Sequence, residues 1–276
     1  MVKNYTSFSD ATATYCIAEI GINHNGSLSQ AIELVKAAKR AGADAAKFQT
    51  YVTEKRAPKN NQEIFDILKK NELSHKDFLT LKECADDVGI EFFSTAFDEE
   101  SIDILEDIGV ETYKLASFDV SNTALLKAVS KTQKSIIFST GMATLDEIQN
   151  AYNILDIPND KLGILHCVSS YPLAVESCQL SNIYSLSERY DCRVGYSDHT
   201  KTIDIPLYAV CAGAKIIEKH FYLHDQHECI DEPVSITEED FLQMITKIRL
   251  LEKIISKPEF GIKDAEKAAV QFKRTS

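Results

Sequence analysis

The chain has 276 residues, room for one large domain or two small ones, and α/β barrels commonly use about 250 residues as a single domain. Hydrophobic residues make up 44% and charged residues 26%, which supports a buried core and excludes extensive disorder. A net charge of −12 excludes sequence-independent nucleic-acid binding, which needs a basic face, but leaves room for an anionic small molecule in a locally positive pocket.

Strand-like apolar runs alternate with amphipathic stretches from start to finish. The opening MVKNYTSFSDATATYC lacks the apolar core of a signal peptide, and no run approaches membrane-spanning length, so no membrane association is expected. The first strand-like run, YCIAEI (15–20), leads into a helical pattern over 27–41, where Leu28, Ala31, Ile32, Leu34, Val35 and Ala38 fall at helical spacing. Ser27 is placed to cap that helix and Gly42 to stop it. Further strand-like runs follow at 45–48, 91–95, 112–117, 135–140, 162–167, 193–197 and 214–220. Helical patterns separate them at 77–88, 99–108, 121–130, 144–155, 179–190, 202–213 and 237–256. An insertion at 50–76, rich in Lys, Asn and Glu, predicts an extra short helix. Eight β–α alternations predict an α/β fold, a (β/α)8 TIM barrel over 1–256, with a polar tail at 257–276. The competing topology is a doubly wound open sheet, but no G-x-G-x-x-G follows the first strand. The seven cysteines are scattered, odd in number and without a C-x-x-C pair, which suits a reducing cytoplasm, the location expected.

In such barrels the active groups sit at the C-terminal ends of the strands. Polar residues collect at nearly every one: Glu19; Lys47 and Gln49; Ser94 and Thr95; Lys114 and Ser117; Ser139 and Thr140; His166, Ser169 and Tyr171; Ser197, Asp198 and His199; Glu218, Lys219 and His220. The expectation is that all eight ends converge on one polar mouth. Lys47 and Lys114 interrupt apolar strands, where an ammonium group is costly unless an anion pairs with it. Three readings stay open: a salt bridge to an internal carboxylate such as Glu19 or Glu218, a cradle for phosphate and carboxylate, or an imine-forming lysine. The hydroxyls of Thr95, Ser117, Ser139 and Ser197 favour the cradle. His199 and His220 end adjacent strands and are candidates to share one divalent metal, with Mn2+ or Mg2+ suiting two imidazoles without a thiolate. The plainer alternative makes one of them a hydrogen-bonded core residue. His166 reads more simply as structural, His24 in its loop reads equally as a site residue or as a brace for that loop, and no partner marks Cys167 as a nucleophile.

Eight motifs then fall in a recognisable order: AEIGINHNGS (18–27), KFQT (47–50), FFSTAFD (92–98), YKLASFD (113–119), FSTGMAT (138–144), HCVSSYP (166–172), VGYSDHT (194–200) and IEKHF (217–221). From about residue 14 to 256 the chain resembles the catalytic barrel of the N-acetylneuraminate (sialic acid) synthase family, with its legionaminic and pseudaminic relatives. The resemblance implies a synthase that condenses phosphoenolpyruvate with an N-acetylhexosamine-type sugar aldehyde and releases phosphate. It implies phosphoenolpyruvate contacts from Lys47, Thr95, Lys114, Ser117, Ser139, Tyr171 and Ser197, and from Ser169 where relatives commonly carry Asn. His199 and His220 match the metal ligands, and Glu19, Gln49 and Asp231 match contacts to the acceptor sugar. Glu232 stands where the sialic and legionaminic members have His in a P-D-H-x-A-S pattern, a tilt away from N-acetylmannosamine. Family members usually continue into a small antifreeze-like (SAF) domain that reaches across a homodimer. This sequence stops near KRTS, so a separate SAF-domain chain or a different acceptor is expected. Two alternatives are carried: a related synthase acting on a phosphorylated sugar aldehyde, and a barrel that binds without turnover.

Overall fold

A computed structural model describes residues 5–58, 60–224, 229–255 and 257–274. Eight strands close into a parallel barrel in chain order: β1 (Tyr15–Gly21), β2 (Ala45–Thr50), β3 (Glu91–Ala96), β4 (Thr112–Leu115), β5 (Ser135–Ser139), β6 (Leu162–His166), β7 (Arg193–Asp198) and β8 (Ile216–His220). Each β–α crossover puts its helix on the outside, as parallel pairing requires. The helices are α1 (Leu28–Arg40), α2 (Thr53–Arg56), α3 (Gln62–Asn71), α4 (His75–Val88), α5 (Glu99–Asp107), α6 (Thr123–Ser130), α7 (Leu145–Leu155), α8 (Ser181–Arg189), α9 (Asp204–Cys211) and α10 (Glu238–Ile254). The sequence reading matches these bounds to within a few residues, and the closed barrel settles the choice against an open sheet. The insertion carries two helices, α2 and α3, rather than one. The end of the helix expected over 237–256 falls partly at residue 256, outside the described residues, as do 275–276 of the expected tail.

Local chemistry sets the helix ends. The Ser27 hydroxyl accepts from the Gln30 amide, and Gly42 takes φ +83° just past α1. Ser74 with Asp77, and Thr144 with Glu147, form reciprocal capping boxes that start α4 and α7. Among the described residues no helix is long and apolar enough to cross a membrane.

The N-terminal segment, which has no strand or helix pattern, turns out to close the barrel floor. Phe8 packs edge-on against Tyr15, with ring centroids 5.7 Å apart. Gly163 makes room for it, since a Cβ there would lie 3.1 Å from the Phe8 ring. The buried Glu91 carboxylate accepts from the Phe8 amide at 2.9 Å, the Tyr15 hydroxyl at 2.5 Å and the Thr112 hydroxyl at 2.6 Å. Arg193 donates to the Phe8 carbonyl and lies over its ring. Three donors on one buried carboxylate satisfy it in place of water.

Candidate active site

Period-two alternation decides which predicted residues reach the interior. On β1 the inward set is Tyr15, Ile17 and Glu19; on β8 it is Ile216, Glu218 and His220. The lower interior is an apolar layer of Ile17, Ala45, Phe93, Ile137, Leu165 and Ile216. One layer higher the barrel presents Glu19, Lys47, Thr95, Lys114, Ser139, Ser197 and Glu218. Residues of the other parity, such as Ala18, Phe48, Tyr113, Phe138, Tyr196 and Ile217, pack outward under the helices.

That parity corrects the expectation that every polar strand end joins the mouth. Asp198 and Lys219 face outward and pair at 2.8 Å, both fully buried. Thr200 donates to Asp198 from its amide at 3.1 Å and its hydroxyl at 3.0 Å. This buried pair ties the ends of β7 and β8 together, so the next residue along from each, His199 and His220, is held over the barrel. Ser94 bonds Thr50 on the outer side, and His166 bonds the Cys178 carbonyl through Nε2 at 2.8 Å. His24 braces its own loop, its Nδ1 accepting from the Gly26 amide at 3.1 Å.

The mouth is a cavity of about 250 Å3 that gathers all the predicted site residues except Ser169. Ser169 lines a neighbouring hollow of about 490 Å3 that shares Cys167 with the mouth, and its buried hydroxyl has no hydrogen-bond partner among the described residues. Ser117 Oγ accepts from the Gly141 amide at 3.0 Å and lies 3.1 Å from Cys167 Sγ. Burial pushes the Cys167 thiol up, against activation as a nucleophile.

Two lysines and two carboxylates share the cavity floor. Lys47 Nζ lies 2.7 Å from Glu19 Oε2 and 3.4 Å from Glu218 Oε2, and donates to Thr95 Oγ1 at 3.1 Å. Lys114 Nζ donates to Ser139 Oγ at 2.6 Å and the Leu115 carbonyl at 3.0 Å, with Glu218 Oε1 at 4.0 Å. Ser197 donates to Glu218 at 2.9 Å. Burial opposes ionisation of Glu218, but Lys114 and Lys47 outweigh it and hold the carboxyl at about 2. Burial pushes Glu19 up to about 7, with Glu218 adding to the rise and Lys47 opposing it. Desolvation lowers Lys114, whereas for Lys47 the two carboxylates overcome burial and raise it. The floor is therefore internally paired, as the salt-bridge reading expected. Its cations can still be offered to an anion if the carboxylates give way.

Above the floor, the His199 and His220 rings lie 5.8 Å apart, with the Tyr171 ring 4.2 Å from His199. His199 Nδ1 is 2.8 Å from the Val168 carbonyl, which makes it the donor and leaves Nε2 with a bare lone pair. Buried His220 Nδ1 has no hydrogen-bond partner among the described residues and stands 3.6 Å from Asp231 Oδ2. Burial, with His199 and Lys47 nearby, keeps His220 well below its usual range and therefore neutral. Two neutral imidazoles, one of them with an orphaned Nδ1, fit a divalent cation. Among the described residues no group of three His, Cys, Asp or Glu side chains is arranged to hold a metal ion.

The rim on the β1–β2 side holds the predicted acceptor contacts. Gln49 Nε2 donates to Glu19 Oε1 at 3.2 Å. Asn23 Oδ1 accepts from the Asp231 amide at 3.1 Å, while its Nδ2 donates to the Phe221 carbonyl and to Ser235 Oγ, both at 2.9 Å. The G-I-N segment thus fixes the loop after β8. Gly21 has φ +55°, and a Cβ there would sit 2.9 Å from Asp231 Oδ2 and 3.3 Å from Gln49 Nε2. Arg56 also lines this side and was not singled out from sequence; its polar insertion gave no strand end to mark it.

Fold and cavity together define a (β/α)8-barrel protein with an enzyme-like C-terminal mouth. The chain belongs to the NeuB family, which it matches over residues 34–259. It is 43% identical over 247 residues to an uncharacterized protein of Methanocaldococcus jannaschii, covering 89% of this chain and 73% of that one. It is 37% identical over 270 residues to the N,N'-diacetyllegionaminic acid synthase of Legionella pneumophila, covering 91% and 76%. Among solved structures, the N-acetylneuraminic acid (sialic acid) synthetase of Leptospira borgpetersenii in complex with citrate superposes with a TM-score of 0.90 at 36% identity. That match covers 95% of this chain and 91% of the other.

Proposed function

We propose that this protein is a nonulosonate synthase, joining phosphoenolpyruvate to the aldehyde of an N-acetylhexosamine-type sugar and releasing inorganic phosphate. The observation that carries the reading is one cavity with Lys47 and Lys114 on its floor and His199 and His220 above them. The named synthases among its relatives support the same chemistry.

Phosphate and carboxylate of phosphoenolpyruvate take the two ammonium groups and the hydroxyls of Thr95, Ser117, Ser139 and Ser197. Ser169 and Tyr171 border the same ligand. Gln49 and Asp231 orient the sugar. His199 and His220 would hold a divalent ion, Mn2+ or Mg2+, which when bound would supply Lewis-acid polarisation of the carbonyl. The enol π electrons form a bond from carbon 3 to the aldehyde carbon, and positive charge develops at carbon 2 of the former enolpyruvate. Water adds there and loses a proton, the aldehyde oxygen gains one, and the tetrahedral centre expels phosphate by breaking its carbon–oxygen bond to leave a ketone. Glu19 moves a proton or holds the sugar hydroxyls beside this step.

The seven scattered cysteines suit a reducing cytoplasm. The exposed rings of Phe118 and Tyr171 at the rim suit a covering element, either a second copy of this chain or a separate SAF-domain chain.

Incubation with phosphoenolpyruvate, Mn2+ and a panel of amino-sugar aldehydes should release phosphate and yield a product with the combined mass of both carbon skeletons. Phosphate release indifferent to the aldehyde would overturn the reading. His199→Ala and His220→Ala should stay folded and lose metal-dependent turnover.

A further inference from the structure

A buried thiol in the wall of the mouth takes no part in the proposed condensation. Cys167, the first residue past β6, is 4% exposed and borders both the mouth and the hollow beside it. Its sulfur lies 3.1 Å from Ser117 Oγ, within hydrogen-bond reach of a thiol and a hydroxyl. Ser117 opens the short 3-10 turn that follows β4, so the contact joins two strand ends that are not neighbours in the barrel. Gly141, just past β5 and between them, completes the corner. A Cβ there would fall 2.4 Å from Ser169 Oγ, 2.9 Å from Ser117 Oγ and 3.0 Å from Cys167 Sγ, so glycine is what lets three side chains close on one point.

Counting donors and acceptors gives the thiol a task. A serine hydroxyl has one hydrogen to donate and two lone pairs that accept. One lone pair of Ser117 is taken by the Gly141 amide at 3.0 Å. Two arrangements then fit the sulfur contact. When Ser117 donates to sulfur, its hydrogen is spent on a weak acceptor and turned away from the cavity. When sulfur donates to Ser117, both lone pairs are filled and the hydroxyl hydrogen is left for whatever occupies the mouth. An anionic oxygen there selects the second arrangement, because hydrogen bonds to charge are roughly twice as strong as those between neutral groups. That arrangement needs the sulfur to keep its proton. Burial keeps it there, outweighing Ser117, Lys114 and the Gly141 amide, which favour the thiolate.

We propose that Cys167 is a positioning residue, its S–H donating to Ser117 Oγ and so aiming the Ser117 hydroxyl at an anionic oxygen of phosphoenolpyruvate. The thiol touches no substrate and gives up no proton; it sets the direction of a donor that does touch the substrate. The assignment rests on the condensation reading above, in which Ser117 receives phosphoenolpyruvate.

Wild type, Cys167→Ala, Ser117→Ala and the double variant of the full chain form a cycle that tests it. Titration calorimetry with phosphoenolpyruvate in the absence of metal reads affinity directly. Turnover with Mn2+ and an amino-sugar aldehyde reads the two KM values. Ser117→Ala should weaken phosphoenolpyruvate binding about 10- to 100-fold, the worth of a hydrogen bond to charge. Cys167→Ala should weaken it about three- to tenfold and leave the acceptor KM within about twofold. In the Ser117→Ala background the same change should cost less than about twofold, since no hydroxyl remains to be aimed. Cys167→Ser, which keeps a donor on a shorter arm, should recover part of the loss. Equal losses from Cys167→Ala in both backgrounds, or a matching rise in the acceptor KM, would mark a packing effect and overturn the assignment. Wild type that binds phosphoenolpyruvate as tightly as Cys167→Ala does sinks the positioning role alone. Wild type that neither binds phosphoenolpyruvate nor turns it over sinks the condensation reading and the positioning role with it.

Discussion

Replacing Glu19 with Gln should tighten phosphoenolpyruvate binding while it slows the condensation. Lys47 sits 2.7 Å from Glu19 and 3.4 Å from Glu218, so an arriving anion competes with two carboxylates for one ammonium. An anionic oxygen on Lys47 would stand about 5 Å from the Glu19 carboxylate, a repulsion of about 3 kcal/mol per unit charge at an effective dielectric near 20. Glu19 escapes part of this by taking up a proton, which its elevated pKa of about 7 makes easy. Protonation therefore caps the penalty at about 1.4 kcal/mol at pH 8, a few tenths at pH 7, and close to nothing at pH 6. Glu19→Gln should bind phosphoenolpyruvate about tenfold more tightly at pH 8, about twofold at pH 7, and equally at pH 6. Isothermal titration calorimetry without metal measures this, and the ligand's own ionisation cancels in the ratio. Wild-type binding at pH 8 should also take up a proton, seen as a buffer-dependent enthalpy that the variant lacks. Turnover of the variant should fall about 100-fold or more through loss of proton transfer. Weaker binding at pH 8, or a ratio independent of pH, would refute the competition argument.

Three further outcomes follow from separate parts of the molecule. Lys219→Met strands the fully buried Asp198 and should cost about 3–5 kcal/mol in denaturant unfolding, with much of it recovered when Asp198→Asn is added; a loss under about 1 kcal/mol would mean the pair is dispensable. Gly21→Ala forces a side chain to φ +55°, costing about 1–2 kcal/mol, and pushes a methyl toward Asp231. Its acceptor KM should rise with phosphoenolpyruvate affinity unchanged, and parallel changes in both would contradict the placement of the acceptor. Burial lowers His24 to about 4, so the unfolded chain binds the extra proton first as pH falls through 6.5. Stability from this group is intact above about pH 6.5 and should drop by about 2 kcal/mol at pH 5, with His24→Gln showing less acid sensitivity; equal acid sensitivity in both proteins would show that His24 is not the source.

The barrel was legible because every strand is an apolar run of nearly its final length, and Ser27 and Gly42 punctuate the first helix as their backbone preferences require. The candidate site was legible as a cluster because an ionisable residue inside such a run needs either an internal partner or a ligand. Strand ends alone did not separate inward from outward residues. Counting parity from Lys47 or Glu218 would have put Asp198 and Lys219 under the helices at once. The Phe8 closure and the Arg56 contacts were hidden for a different reason. Phe8 meets Glu91, Gly163 and Arg193, and Arg56 meets Phe97, contacts between segments distant in sequence that no local pattern marks.

The Phe8 closure also bears on traffic through the barrel. Among the described residues the lower end is stoppered by an aromatic ring and a charged clasp, so the lysines are reached through the mouth. Whatever settles on the lysines must arrive before anything that rests against Gln49 and Asp231, and must leave after it. Sequence of arrival is then imposed by architecture, and steady-state inhibition patterns should be those of compulsory-order kinetics.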